Sequence, residues 1–158
     1  MILAALILIL SASLFGFYFQ TTCQKILRRQ FDREYFQSIA RANRLEFPTL
    51  RESAAGSGAP AAYSLLRQAL KCDFAALTYL LKNAANVNQS YGGDERLLIL
   101  YFRCQFLSLA ARRLVGMKED RVILKLTSVL EYFANVVGKR VEAVKFGNLA
   151  AAEFPLSF

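Results

Sequence analysis

The sequence predicts an all-α protein: a single N-terminal transmembrane helix continuing into an amphipathic helix, followed by a small helical bundle. Three observations carry this. Residues 1–24 contain no charge, and all 20 basic and 12 acidic residues fall from Lys25 onward. Apolar residues beyond Lys25 recur at spacings of three and four, the period of one helix face. No stretch shows the sustained alternation of a half-buried strand. Hydrophobic residues make up 55% of the chain, more than an ordinary soluble domain carries, and the opening segment holds much of the excess.

Met1 to Phe19 is apolar apart from Ser11, Ser13 and Gly16. A hydrocarbon core of about 30 Å needs about 20 helical residues, so the run just reaches. Phe17, Tyr18 and Phe19 stand where a membrane interface would lie, and Lys25, Arg28, Arg29 and Arg33 follow. Aromatic residues with cations beyond them mark the cytoplasmic end of a span. The expected topology is single-pass, with residues 1–24 as anchor, the N-terminus outside and the C-terminal domain cytoplasmic. A cleaved secretory signal is the competing reading, since Ser11-Ala12-Ser13 has a small-x-small pattern. No basic residue precedes the apolar run, however, and cleavage there would leave an aromatic, apolar N-terminus. Lipoprotein acylation at Cys23 fits less well, because Gln20-Thr21-Thr22 lacks the small apolar residues such a site calls for.

Between Lys25 and Phe47 there is no proline or glycine. Leu27, Phe31, Tyr35, Ile39, Ala42 and Leu45 form one stripe, and most of the basic residues fall opposite. The spacing predicts a basic amphipathic juxtamembrane helix over 25–47, continuous with the anchor and ended by Pro48, which disfavours α geometry in the residue before it. Residues 48–60, rich in Gly, Pro and Ser, read as a linker. Pro60 suits the first turn of the next helix, whose stripe runs Leu66, Leu70, Phe74, Leu77, Leu81 and Ala84.

Gly92-Gly93 mark a turn, and Asp94 is the expected N-cap of the following helix, with Glu95 in its first turn. That helix, 94–115, is apolar nearly all round and is expected to be the most buried, with Leu100 and Phe106 inside. Arg103 and Gln105 argue against a second span, because arginine near a bilayer centre costs about 2.5–3.5 kcal/mol. Gly116 is the expected terminator. A fourth helix then carries Val122, Leu126, Val129, Leu130, Phe133 and Val137, is closed by Gly138, and completes a bundle over 61–140. The short link predicts an antiparallel hairpin of these last two helices. Residues 141–158 form a weakly patterned tail; the terminal Phe158 alone does not make a barrel signature, with no alternating strands beside it.

The chain has no histidine, which removes His-based triads, His-ligated haem and the usual catalytic zinc sets. Its three cysteines have no metal or redox spacing; Cys72 and Cys104 are expected as small buried hydrophobes. Asp32 and Glu34, and Glu119 and Asp120, read as solvated or capping charges. Asp73 beside the apolar stripe is the candidate partner of Arg103 in a buried ion pair. No phosphate loop or dinucleotide motif occurs, and no catalytic residue, metal site or cofactor is expected. The net charge of +8 favours anionic partners. Anionic lipid accounts for the cations beside the anchor, and no nucleic-acid recognition motif stands out. The expected partners are therefore the lipid bilayer and a protein, either another chain or a second copy. The function expected is that of a membrane-anchored scaffold or accessory subunit rather than an enzyme. A small-ligand or enzymatic bundle with a polar site near Asp73 and Arg103 is the alternative, and a basic nucleic-acid-binding domain the second.

Overall fold

The computed structural model describes residues 1–29, 31, 33–56, 62–83 and 91–152, with side chains described as far as residue 144. The expectations for Asp32, Pro60, Ala84 and Phe158 lie outside the described residues. Six helices make up the described chain: α1 (Ile2–Leu27), α2 (Phe36–Ala42), α3 (Phe47–Ala54), α4 (Tyr63–Asn83), α5 (Gly93–Val115) and α6 (Asp120–Ala152). There is no strand among the described residues. The fold is thus all-α, a long apolar N-terminal helix followed by a helical bundle.

α1 has two parts. Residues 1–18 are exposed along their whole length. From Phe19 onward the helix joins the bundle: Cys23 and Ile26 are buried, and the Phe19 ring lies 6.1 Å from that of Tyr101 on α5. Burial begins at Phe19, within the uncharged run and before the first basic residue, Lys25.

The centre of the bundle is α6, which touches each of the other five helices. Its expected stripe is its core face, and Val122, Leu126, Val129, Leu130, Phe133 and Val137 are all essentially inaccessible. The central role expected of residues 94–115 therefore belongs to α6. Leu100 is exposed and Phe106 only half-buried. α5 is apolar on two opposite faces, and only the one bearing Leu98, Phe102 and Leu109 meets the bundle. α5 and α6 do form an antiparallel hairpin. Gly116 ends α5 in the left-handed conformation, φ 71°, while Glu95 near the start of α5 pairs with Arg140 far along α6. α4 runs parallel to α6, since Phe74 lies near Phe133 and the Leu81 carbonyl near Arg140. Phe74 stacks on Phe102 of α5 with centroids 4.0 Å apart, closing the space between α4 and α5 above α6.

The expected continuous helix from anchor to Phe47 is broken. α1 stops at Leu27, and the chain folds back as α2 and α3. The apolar stripe of 25–47 is nonetheless packed: Leu27, Phe31, Ile39 and Leu45 all lie against the core. As one straight helix of 23 residues, about 34 Å long, they could not all reach α6. α2 ends with Arg44 left-handed, φ 52°, and the Leu45 N–H donates to Ala40 O at 2.9 Å, a Schellman-type stop. Pro48 then stands in the first turn of α3, inside the segment expected as linker. There its missing N–H costs nothing.

Gly138, expected to close the last helix, lies within α6, which continues through the expected tail to Ala152. Its role is close approach. A Cβ there would stand 2.2 Å from Tyr35 Cβ, so glycine lets the segment between α1 and α2 lie directly on α6.

Candidate docking surface and polar sites

Each short helix has its N-terminus held by a side chain from a distant helix. Asp73 Oδ2 on α4 accepts from the backbone N–H groups of Glu46 and Phe47, at 2.9 and 2.7 Å, at the start of α3. Asn135 Oδ1 on α6 accepts from those of Tyr35 and Phe36, at 2.7 and 2.9 Å, at the start of α2. First-turn N–H groups have no partner within their own helix, and neither α2 nor α3 has a side-chain cap from its own N-cap residue. Asp73 and Asn135 are both buried. Burial pushes the Asp73 carboxyl above its ordinary range, against the opposing pull of the two amide bonds.

Asp73 is therefore buried as the sequence suggested, but its partner is the α3 backbone. Arg103 is exposed on the far side of α5. The buried ion pair is instead Glu95 with Arg140, 2.5 Å apart. Glu95 also accepts from the Gly92 N–H at 3.0 Å, and Arg140 donates to the Leu81 carbonyl at 2.5 Å. This pair joins the start of α5, the end of α4 and the middle of α6. Gly92, not Asp94, is the N-cap of α5; Asp94 receives Arg29 at 2.6 Å. A lone polar residue in the apolar run Tyr132–Val137 was the available signal for Asn135.

The cations below α1 serve the bundle. Besides Arg29, Arg33 pairs with Glu142 at 3.1 Å, and the Tyr35 hydroxyl also reaches Glu142. Arg51 pairs with Glu131. Arg28 and Lys25 are exposed, as are Phe17 and Tyr18, while Phe19 is half-buried. A half-open cleft of about 640 Å³ lies beneath the end of α1, with Arg28, Lys125, Leu27, Phe31, Glu34 and Tyr132 among its walls. Tyr101, at its base, has Gln24 and Cys23 near its buried hydroxyl, which makes no hydrogen bond of good geometry among the described residues. Burial also pushes the Tyr101 and Tyr132 phenols above their ordinary range. Neither Asp73 nor Arg103 lines this cleft or two further clefts of the bundle. No group of three or more potential ligands that could hold a metal ion occurs among the described residues.

Among the described residues of the bundle, the outer face of α5 carries a row of exposed apolar side chains. Leu97, Leu100, Leu107 and Leu114 are 36, 52, 70 and 88% exposed, and Cys104 and Ala111 are exposed between them. The six positions 97, 100, 104, 107, 111 and 114 alternate in steps of three and four. That is the a/d seam of a coiled coil. It lies opposite the buried face bearing Leu98, Phe102 and Leu109, because at 100° per residue the two sets centre about half a turn apart. Cys104 and Cys72 were expected inside; both are exposed, and Cys23 is the buried thiol. The seam was present in the sequence but merged with the buried stripe into a helix apolar all round.

Comparison with protein-family models, with curated proteins and with solved structures gives no match for this chain. What it does must be argued from the surface itself.

Proposed function

We propose that the protein is a membrane-anchored helical scaffold or accessory subunit that docks a protein partner at the cytoplasmic face of the membrane. The observation that carries the reading is the exposed apolar seam of α5, on a bundle that hangs from an equally exposed apolar arm. α1 is long and apolar enough to cross a membrane. The exposed apolar run ending at Tyr18 lies in the bilayer in this reading, with Phe17, Tyr18 and Phe19 at headgroup level. The excess of cations just beyond them supports a cytoplasmic bundle. Exposed apolar patches on a folded domain mark contact surfaces, and a seam of a/d spacing suits a helix of a partner.

The cleft beneath α1 supports a second role. Arg28 and Lys125 at its walls, with Leu27 and Phe31 beside them, suit the headgroup and upper chain of an anionic lipid. Each such cation near an anionic surface contributes about 1 kcal/mol.

The test compares three forms of the protein in cells: the unaltered chain, Leu107→Glu with Leu114→Glu, and a form lacking residues 1–18, which are exposed along their length. A reporter fused after Phe158 should be active only in the cytoplasm. The seam variant should stay in the membrane, folded, and lose a co-purifying protein partner. The truncated form should leave the membrane. Export of the reporter, or a soluble form that turns over a small molecule and has no protein partner, would overturn the reading.

A further inference from the structure

We propose that the turn between α5 and α6 makes a second membrane contact: Leu114, Val115 and Met117 enter the headgroup layer of the bilayer that α1 enters, and the cations around them meet anionic lipid. The inference rests on the anchor reading above and adds to it a lipid-facing surface on the bundle itself.

The turn is apolar where it is most exposed. Leu114, Val115 and Met117 each show more than half their surface, whereas turns that face water are ordinarily polar. Gly116 and Met117 donate their N–H groups to the carbonyls of Arg113 and Arg112, at 3.3 and 3.0 Å, so the three side chains are held out on a fixed stop of Schellman type. Cations surround them. Residues 112–121 hold four basic and two acidic residues. Arg113 is taken up by Glu119 at 3.7 Å and by the Tyr63 ring, and Arg112 reaches the Lys118 carbonyl at 3.4 Å. Lys118 and Arg121 are exposed. Apolar side chains with Lys and Arg beside them suit the boundary between headgroups and acyl chains, where long basic side chains reach back to the phosphates.

Two sets of contacts place the turn on the bilayer side of the bundle. α5 runs back along the lower part of α1: Arg29, just past the end of α1, meets Asp94 at the start of α5, and Phe19 meets Tyr101, two turns further along α5. Leu114 lies another 13 residues on, about 20 Å of helix. α6 runs the same way as α1, since Gln24 and Leu27 share a cleft with Leu124 and Ser128, while the later Phe31 meets the later Tyr132, with ring centroids 5.4 Å apart. Its start, Asp120, is about 18 Å of helix before Tyr132, and Phe19 is about 12 Å before Leu27. Both helices of the hairpin thus carry their joined ends to the level of Phe19 or beyond it; tilt shortens these lengths without changing their sense. Residues 1–18 are exposed along their whole length, so the turn stands clear of α1 and its apolar side chains are open to lipid. The charges of Arg112, Arg113, Glu119 and Asp120 are costly in hydrocarbon, which limits the turn to the headgroup layer. The rest of the α5 seam runs from there down to Leu97, open to a protein partner at the membrane surface.

The experiment uses the full chain in vesicles of phosphatidylcholine with phosphatidylglycerol. Cys72→Ser and Cys104→Ser remove the exposed thiols found among the described residues, and a spin label is attached through Val115→Cys, Lys82→Cys or Leu8→Cys, one at a time. Oxygen, which concentrates in lipid, and a water-soluble nickel chelate report where each label sits. The label at 115 should be relaxed by oxygen and shielded from the chelate, at a depth between that of position 8 in the span and that of position 82 at the far end of α4. Lys118→Gln and Arg121→Gln should each lower the ratio of inserted to free label at 115 about fivefold, and vesicles of phosphatidylcholine alone should lower it as well. A label at 115 open to the chelate while that at 8 is shielded would overturn the second contact and leave the anchor standing. A label at 8 open to the chelate would overturn the anchor reading and this inference with it. A label at 115 shielded from both relaxants would mean that protein covers the turn, and lipid as its occupant would fall. Equal insertion with and without phosphatidylglycerol would overturn the role given to the cations.

Discussion

Replacing Gly138 with alanine sets two effects of opposite sign against each other. In an open helix interior, Gly→Ala stabilises by about 1 kcal/mol, because alanine loses less backbone freedom on folding. At Gly138 the new Cβ would stand 2.2 Å from Tyr35 Cβ and 2.5 Å from its Cγ. Rotating the tyrosine ring gives no relief, since the nearer atom is Cβ itself and moves only with the backbone. That backbone is held by the bonds from the Tyr35 and Phe36 N–H groups to Asn135 Oδ1, each contributing about 1 kcal/mol. Displacing the segment by the ångström or more that contact distance requires would lengthen both. Overpacking of a filled site costs about 1–3 kcal/mol. With the bonds strained as well, the clash outweighs the propensity gain, and the net expectation is destabilisation by about 1–3 kcal/mol. Urea unfolding in detergent micelles, followed by circular dichroism and referred to Gly93→Ala, where nothing stands within 4 Å, measures the difference. Tyr35→Gly should remove most of the penalty in a double-mutant cycle, whereas Tyr35→Ala, which keeps the Cβ, should not. A Gly138→Ala protein with a raised midpoint would refute the reasoning and return Gly138 to a weak point in an ordinary helix.

Three further outcomes are expected. Asp73→Ala leaves the Glu46 and Phe47 N–H groups without their acceptor and should cost about 1–3 kcal/mol, whereas Asp73→Asn keeps an acceptor oxygen and should be at least as stable as the parent at pH 7. The carboxyl, raised in the folded state, holds its proton more tightly there than in the unfolded chain. Its contribution therefore favours folding below about pH 3.9 and is lost as pH rises through the folded value; a pH series of unfolding midpoints should show that loss in the parent and not in Asp73→Asn. Arg140→Met strands the buried Glu95 carboxylate and should cost about 3–5 kcal/mol, with most of it recovered in the double variant with Glu95→Gln; equal losses in both variants would contradict the pairing. Leu109→Asp should cost several kcal/mol by burying an unpaired charge, while Leu107→Asp, two residues away on the exposed face, should leave the midpoint of the monomer within about 0.5 kcal/mol.

The contrast between positions 107 and 109 shows where the sequence was sufficient. Helix class, the apolar arm, the Gly116 stop and the core face of α6 follow from local period and composition. These are properties of a residue and its near neighbours along one helix, and Val122, Leu126, Val129, Leu130, Phe133 and Val137 fall on one stripe, which packing buries together with the flanking Ile123, Thr127, Ala134 and Asn135. α5 has two stripes, and nothing local says which one meets the bundle. That choice depends on the surfaces α4 and α6 present, so Leu109 went inside while Leu107, with the same side chain, stayed out. The break after Leu27 is similar, because an apolar stripe says which residues will be buried but not whether they stay on one helix. Folding back lets Phe31, Phe36 and Phe47 all reach α6, and it leaves two helix starts to be capped. The caps, Asp73 and Asn135, lie 26 residues or more from the amides they accept, and Glu95 finds Arg140 across 45 positions. Gly138 is glycine because of Tyr35, not because a helix ends there. Pairings at such separations leave no period in the sequence, because the partners are brought together only when the helices pack; local spacing determined what each helix could bury, and tertiary packing decided which face it did bury and which polar groups it had to satisfy.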